Sequence, residues 1–388
     1  MCILKSRERF AKPKGLAKMR IFCPECGNQD NLSLENWGCS CGGAWELQEL
    51  DTFDPALIDT TDTSIWRYRQ LYGLEFEIPQ ARLGAGGTPL LPLLWGERQI
   101  LIKPEYLAPT ASFKDRGTAM MINILAHQGA VRVADDSSGN AGASVAAYAA
   151  RAGMQAEIFV PAYASPAKQT QIAVYGAIVR PIPGSRINAK LAALEAARQG
   201  VTLASHAYHP GFLLGQQSTA WELWEQMERR VPDWYIVPVG QGVHLLGIWL
   251  GFRRLLAAGL IDRLPKLVAV QPKILAPLSH AFKAGLETVP AAKVTTHSIA
   301  EGLAIAQPVR GRRLLQAIRD SNGTCIEVEE EAIKTAQHQL AQHGFYAEPT
   351  SATVVAALET LFQQAPPDAT IVVPLTGSGL KGSPTFDK

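Results

Sequence analysis

Apolar residues in this chain follow two rhythms. Short, nearly unbroken apolar runs lie between Gly, Pro and polar clusters, and they predict strands at 99–103, 157–160, 234–239, 267–271 and 370–374. Longer stretches repeat apolar or small residues every three or four positions and predict helices over 117–128, 141–152, 188–199, 215–229 and 351–363. Strand and helix alternating at this spacing predict an α/β fold with mostly parallel sheets, whose ligands sit beyond the carboxyl ends of the strands. The connector 51–82 carries one predicted helix, 65–72, stopped by Gly73. No internal repeat or low-complexity tract interrupts the pattern.

With 388 residues, 47% of them hydrophobic and 19% charged, the chain can bury a sizeable core and is expected to form two packed lobes plus a small appendage. A net charge of +2 gives no global attraction to nucleic acid or membrane. The basic stretch is the leader, with Lys5, Arg7, Arg9, Lys12, Lys14, Lys18 and Arg20 against the single acid Glu8. It lacks the apolar core of a secretory signal, and Ser6 is its only hydroxyl residue, which disfavours a transit peptide. No apolar run reaches the roughly 18 residues a membrane span needs. Four of the six cysteines crowd between 23 and 41, which is no disulfide scaffold, and a reducing cytoplasm is the expected location.

Those four cysteines stand as Cys23-Pro-Glu-Cys26-Gly and Cys39-Ser-Cys41-Gly-Gly, the pattern of two facing knuckles. Cys23, Cys26, Cys39 and Cys41 offer four thiolates for a tetrahedral zinc ion, structural because no position is left open. The alternative, given C-x-C in the second pair, is a ribbon that packs without metal. It carries no Lys or Arg between 23 and 43, which argues against nucleic-acid binding.

Four turns rich in Gly or hydroxyls fall where a strand hands over to a helix or loop. Thr110-Ala-Ser-Phe-Lys-Asp-Arg-Gly117 sets Lys114 before a helix start, where an amine is either a solvated charge or a nucleophile activated by burial. Asp136-Ser-Ser-Gly-Asn-Ala-Gly142 exposes backbone N–H groups at a helix N-terminus, fit for a carboxylate or serving only as a cap. Val237-Pro-Val-Gly-Gln-Gly-Val-His244 lets consecutive donors wrap a phosphate before a helix expected near Leu245. It fits neither the dinucleotide fingerprint nor a Walker loop. Val373-Pro-Leu-Thr-Gly-Ser-Gly-Leu-Lys381 ends the last strand with a hydroxyl. Amine, phosphate cradle, carboxylate site and terminal hydroxyl together are what a pyridoxal 5′-phosphate (PLP) enzyme requires.

In this order the motifs resemble fold-type II PLP enzymes (tryptophan synthase β-like), most closely the threonine-synthase-like family. The resemblance runs from the ribbon with Cys41-Gly-Gly through Leu83-Gly-Ala-Gly-Gly-Thr-Pro-Leu90, the lysine motif, Ser137-Ser-Gly-Asn-Ala-Gly142, His209-Pro-Gly-Phe-Leu-Leu-Gly215 and the phosphate loop to Leu375-Thr-Gly-Ser-Gly-Leu-Lys381. It implies two lobes with parallel or mixed sheets: a leader and zinc-ribbon-like segment at 1–50, a large PLP-binding domain at 51–118 and 206–388, and a small domain at 119–205. It also implies that Lys114 forms the Schiff base and then handles protons, and that Asn140 bonds the cofactor 3′-oxygen. Gly240, Gln241, Gly242, Val243 and His244 would hold the phosphate, and Thr376 would face the pyridine nitrogen. Ser137, Ser138 and Ala141 would meet the substrate carboxylate. The family reaction turns O-phosphohomoserine and water into threonine and phosphate, and Lys168, Arg186 and Arg116 are candidates for the leaving phosphate. The implied assembly is a homodimer acting on a small amino acid, with no nucleic-acid or membrane partner.

The chain departs from the family pattern at Ala141, where a threonine is usual, at Val243, where the loop usually has glycine, and at Ala85, where an acid is often found. The segment Glu301-Gly-Leu-Ala-Ile-Ala-Gln-Pro308 is nearer to that of amino-acid dehydratases. The competing expectations are therefore a PLP-dependent β-eliminase or β-replacement enzyme acting on serine, threonine or O-phosphoserine, and a non-catalytic PLP-fold amino-acid-binding protein. The six histidines other than His209 and His244 show no metal-ligand spacing and receive no role.

Overall fold

A computed structural model describes residues 19–48, 52–74, 80–294 and 297–382; the basic leader through Lys18 lies outside them. The strands are β1 (Arg20–Phe22), β2 (Gln29–Asn31), β3 (Glu46–Leu47), β4 (Leu91–Trp95), β5 (Arg98–Lys103), β6 (Arg132–Asp135), β7 (Gln155–Pro161), β8 (Ile178–Ile182), β9 (Thr202–Leu203), β10 (Trp234–Pro238), β11 (Lys266–Pro272), β12 (Thr324–Val328) and β13 (Ile371–Pro374). The helices are α1 (Lys114–His127), α2 (Asn140–Arg151), α3 (Pro166–Ala173), α4 (Arg186–Arg198), α5 (Pro210–Gln226), α6 (Val243–Ala257), α7 (Pro277–Lys283), α8 (Gly311–Asp320), α9 (Glu330–Gln342), α10 (Pro349–Ala356) and α11 (Leu358–Phe362).

They form three sheets: a small antiparallel ribbon ordered β2-β1-β3, a six-stranded sheet ordered β12-β11-β10-β13-β5-β4, and a four-stranded sheet ordered β8-β7-β6-β9. The four-stranded sheet is parallel throughout. The six-stranded sheet is parallel except for β4, which runs antiparallel to β5 at one edge. Helices cover both faces of the central strands, so β10 and β13 are buried at every position and their sequences show no polar alternation.

The five predicted strands agree with β5, β7, β10, β11 and β13 to within a residue or two at each end. Helix boundaries shift more. The 215–229 expectation begins five residues late, because Pro210 occupies the first helical turn and the His209 imidazole caps it, accepting from Gly211 N–H at 3.1 Å. Gly215, which looks like a helix breaker, is there for packing: a Cβ would lie 2.2 Å from the Arg116 carbonyl oxygen. That glycine lets α5 approach α1 closely, and α5 is buried from Pro210 to Trp224 as the central helix of the molecule. The 351–363 expectation resolves into α10 and α11, and the 65–72 element is a 3₁₀ helix closed by Gly73 at φ 64°. Among the described residues, no helix is long and apolar enough to cross a membrane.

The loops that follow β5, β6, β10 and β13 hold the four singled-out turns. All four leave the carboxyl ends of parallel strands, where the fold class places ligands.

Candidate active site

Lys114 opens α1, three residues earlier than the sequence pattern predicts. The loop before it is held in an unusual shape, with Ala111 at φ 60° in the left-handed region. Hydrogen bonds to the last turn fix that shape: Phe113 N–H donates to the Thr376 carbonyl at 2.9 Å and Ser378 N–H to the Ala111 carbonyl at 3.1 Å. The lysine Nζ lies 4.2 Å from the Phe113 ring centroid. Burial pulls its pKa down to about 7; Glu348 and Asp135 oppose that shift, and Arg186 reinforces it. Half of such amines are neutral near pH 7, whereas an exposed lysine is almost wholly protonated there. Beside it, the Ser112 hydroxyl is buried and has no hydrogen-bond partner among the described residues.

Two sets of unpaired backbone donors lie on loops that carry or adjoin His244 and Asp135, both within electrostatic reach of this amine. Among the described residues, the N–H groups of Gly240, Gln241, Gly242, Val243 and His244 make no hydrogen bond within the chain, and α6 starts at Val243 rather than Leu245. The side chains of this loop point elsewhere. Gln241 Oε1 accepts from Val309 N–H at 3.1 Å, and His244 bonds Tyr235 at 2.8 Å and Gln216 at 3.0 Å. Burial lowers the His244 pKa to about 4, so its imidazole is neutral. Gly240 and Gly242 have steric reasons: a Cβ would meet the Gly302 carbonyl oxygen at 2.6 Å and Leu314 at 2.3 Å respectively, and Gly242 has φ 73°. Gly242→Ala is expected to lower the denaturant midpoint, at a cost of about 1–2 kcal/mol from the backbone alone and more from the clash.

The second set lies at the start of α2. Ser137 N–H and Gly139 N–H are satisfied locally by Asp135 and the Ser137 hydroxyl, while Ser138, Asn140 and Ala141 keep free N–H groups among the described residues. Gly142 is required there, since a Cβ would stand 1.9 Å from the Ser137 carbonyl oxygen. A helix N-terminus with free donors attracts an anion.

Asn140 reaches across to a residue the sequence did not single out. Its Nδ2 donates to both Glu348 oxygens, at 2.9 and 3.1 Å. Burial raises the Glu348 pKa despite the nearby Lys381, Asn140, Lys168 and Lys114. In sequence Glu348 is only an acid ahead of a proline at a helix start, which is the usual wording of an N-terminus. Thr376 is buried, its hydroxyl 3.0 Å from that of Ser351. His206, given no role from sequence, lies within electrostatic reach of Lys114 and Arg186; burial holds its pKa well below the ordinary value, and its Nδ1 has no hydrogen-bond partner among the described residues.

The three candidate cations for a second anion have different fates. Arg116 is corrected: its guanidinium is fully buried and saturated by Glu105, at 2.7 and 2.8 Å, and by Glu222, at 2.9 and 3.0 Å. Lys168 is ion-paired with Glu301. Arg186, at the first turn of α4, is half-buried and has no ion-pair partner among the described residues. Asp135 lies within electrostatic reach of Arg186, but burial and then Asp136 push that carboxyl up to about 8.

In the ribbon, the Sγ atoms of Cys23, Cys26, Cys39 and Cys41 lie within 4.8 Å of one another.

Residues 81–377 match the family described as pyridoxal-phosphate dependent enzyme. Among individual proteins, the chain is 32% identical to the threonine synthase of Methanocaldococcus jannaschii over 373 residues, covering 92% of each. It is 31% identical to that of Methanosarcina acetivorans over 378 residues, covering 94% of this chain and 93% of the relative. Its fold is similar to that of a T.th. threonine deaminase, with a TM-score of 0.66, 25% identity, and 78% of this chain and 94% of that one covered. Maize serine racemase aligns with a TM-score of 0.65 at 23% identity, over 75% and 88% of the two chains. With a half-buried lysine and two loops of unpaired backbone N–H groups, and with these matches over most of its length, the chain belongs to the fold-type II pyridoxal-phosphate dependent enzymes, in the threonine-synthase-like family.

Proposed function

We propose that this lyase is a threonine synthase, converting O-phosphohomoserine and water into threonine and phosphate. The observation that carries the reading is Arg186: a half-buried guanidinium without an ionic partner among the described residues, within electrostatic reach of Lys114 and His206. A cation held in this way is suited to a substrate with a second negative group. The likeness to threonine synthases over nine-tenths of the chain supports the same reading.

The residues present fit PLP. The five unpaired N–H groups at 240–244 suit its phosphate, and the Lys114 amine, neutral half the time near pH 7, suits covalent attachment. Asn140, oriented by Glu348, would hold the ring oxygen, and Thr376 would offer a neutral hydroxyl to the ring nitrogen. When bound, the cofactor supplies an electron sink for charge developing beside the amino-acid nitrogen.

The chain's own residues then divide the remaining work. The free N–H groups of Ser138 and Ala141 orient the substrate carboxylate, with Ser137 shaping the turn through its hydroxyl. Lys114 Nζ, with a pKa close to neutral, takes and returns the substrate carbon protons. Arg186 holds the phosphate that departs from Cγ, and Lys168 joins it when that phosphate competes with Glu301. The exposed edge strand β4, with Leu91 and Leu94 open, supports a homodimer.

Arg186→Ala is expected to raise KM for O-phosphohomoserine about 10- to 100-fold, the loss of one charge-assisted contact worth roughly 1.5–3 kcal/mol, with cofactor content unchanged. The decisive experiment is to incubate the PLP-loaded enzyme separately with O-phosphohomoserine, serine, threonine and O-phosphoserine while following phosphate, threonine and keto acid. Threonine and phosphate from the first compound support the proposal. Ala141 and the dehydratase-like wording at 301–308 favour a second reading, a β-eliminase or β-replacement enzyme. Keto acid from serine or threonine alone would replace the first reading with that one.

A further inference from the structure

The ribbon lies outside the family match at 81–377, yet it is bonded to the matched part of the chain through Arg310 and Arg313. Its two cysteine turns are complete knuckles. Gly27 N–H donates to the Cys23 carbonyl and Gly42 N–H to the Cys39 carbonyl, both at 2.8 Å, and Gly27 and Gly42 have φ 77° and 89°. Cys23 and Cys41 Sγ are 3.5 Å apart, as are Cys26 and Cys39 Sγ. That is far beyond a disulfide bond and near the edge, roughly 3.8 Å, of a sulfur tetrahedron around zinc with bonds of about 2.3 Å. Gly43 leaves room for the cluster: a Cβ there would lie 2.8 Å from Cys23 Sγ and 3.3 Å from Cys41 Sγ.

The strand that enters the first knuckle is paired to the strand that meets the enzyme. Phe22, next to Cys23, stands opposite Glu46 in the β1–β3 ladder. Glu46 binds Arg313 through both oxygens, at 2.8 and 2.7 Å, and lies 3.7 Å from Arg310. Arg310 is 3% exposed and works as a clamp: it donates to Trp45 O at 2.8 Å in the ribbon, and to Ala207 O at 3.1 Å and Tyr208 O at 3.0 Å. Those last two residues directly follow His206, which lies within electrostatic reach of Lys114. The chain leading into Arg310 is the phosphate-loop wall, where Gly302 O backs Gly240 and Val309 N–H bonds Gln241. If the ribbon loosens, a buried guanidinium loses its acidic partner and one of its carbonyls, and both cofactor-facing segments lose a shared anchor.

We propose that Cys23, Cys26, Cys39 and Cys41 bind one zinc ion whose occupancy, through β1, β3 and the Arg310 clamp, sets the affinity of the catalytic lobes for PLP. The metal never meets the substrate; it acts as a remote support for the cofactor pocket, and the two ligands are thermodynamically coupled. This rests on PLP binding, which the family membership carries, and not on the choice of substrate.

The test uses the full chain purified under reducing conditions. Metal analysis is expected to give about one zinc per chain. Stripping with a strong chelator should raise the PLP dissociation constant, read from the visible absorbance, by about tenfold or more, and added Zn²⁺ but not Mg²⁺ should restore it. Because cysteine variants can fail to fold, Glu46→Gln provides the second arm. It leaves all four thiolates in place, so it should keep the zinc and still weaken PLP binding. A chain without zinc after expression in zinc-supplied medium overturns the proposal. So does a stripped chain, or a zinc-loaded Glu46→Gln chain, that binds PLP as tightly as the native protein. None of these readouts involves turnover, so failure here is distinct from failure of the threonine synthase reading.

Discussion

The Lys114→Ala protein is expected to lose the visible absorbance of lysine-bound PLP and to turn over substrate about 10²- to 10⁴-fold more slowly, the range that a positioned acid–base group contributes. Loss of the covalent attachment adds to this. The spectrum separates the two roles proposed for this side chain. A variant that keeps PLP without the band, and is partly rescued by added small primary amines, has lost the amine and not the pocket. A variant with native absorbance and native turnover would remove Lys114 from the site. The depressed pKa yields a matching prediction with a defined sign. Burial favours the neutral amine, the form that attacks a carbonyl, so the rate at which PLP-free enzyme takes up PLP should rise through pH 7 and level off above it. An unperturbed lysine would show that rise near its ordinary value of about 10.4. Stopped-flow absorbance between about pH 6 and 9 distinguishes them.

Glu222→Ala is expected to destabilise the folded chain by about 3–5 kcal/mol without touching any group near the substrate. Glu222 lies on the central helix α5, between Arg116, bonded at 2.9 and 3.0 Å, and Lys103, whose ammonium also donates to it. Although burial opposes it, these two cations hold the Glu222 carboxyl well below the usual carboxylate range, and Thr88 Oγ1 and Gly87 N–H donate to the same group. Among the described residues, removing it leaves Glu105 as the only carboxylate bonded to Arg116, and Lys103 without a direct ion pair. Two interior cations facing one acid cost far more than a missing contact. The check is the denaturant midpoint, with Glu222→Gln as the comparison that keeps size and loses charge. A shift no larger than that of a surface substitution would show that the network carries no stability. The same network explains why Arg116, though close in sequence to Lys114, cannot serve the substrate.

The features that could be identified from sequence alone share a physical property: they are local. A parallel strand buried on both faces declares itself as an apolar run, which is why β5, β7, β10, β11 and β13 stand where the pattern predicts them. A turn that must expose successive N–H groups needs glycine or small hydroxyl residues in a fixed order, so the turns at 137–142 and 240–244, and the lysine at 114, could each be found within a few residues of sequence. The cysteine knuckles are local for the same reason.

The partners across these turns could not be read in this way, because each is chosen by packing between distant segments. Glu348 reaches Asn140 over 208 positions, Glu222 reaches Arg116 over 106, and Arg310 reaches Trp45 over 265. No periodicity or turn chemistry links such residues. An arginine neutralised by acids in the core and one without an ion pair among the described residues are spelled alike; Arg116 and Arg186 are the example. The sequence by itself determined where the main strands, the lysine and the two anion cradles fall along the chain, because backbone geometry and burial pattern act over a few residues. Only the tertiary structure decided which charges are neutralised in the interior and which keep no ion pair among the described residues, because that balance depends on what the fold brings within a few ångströms.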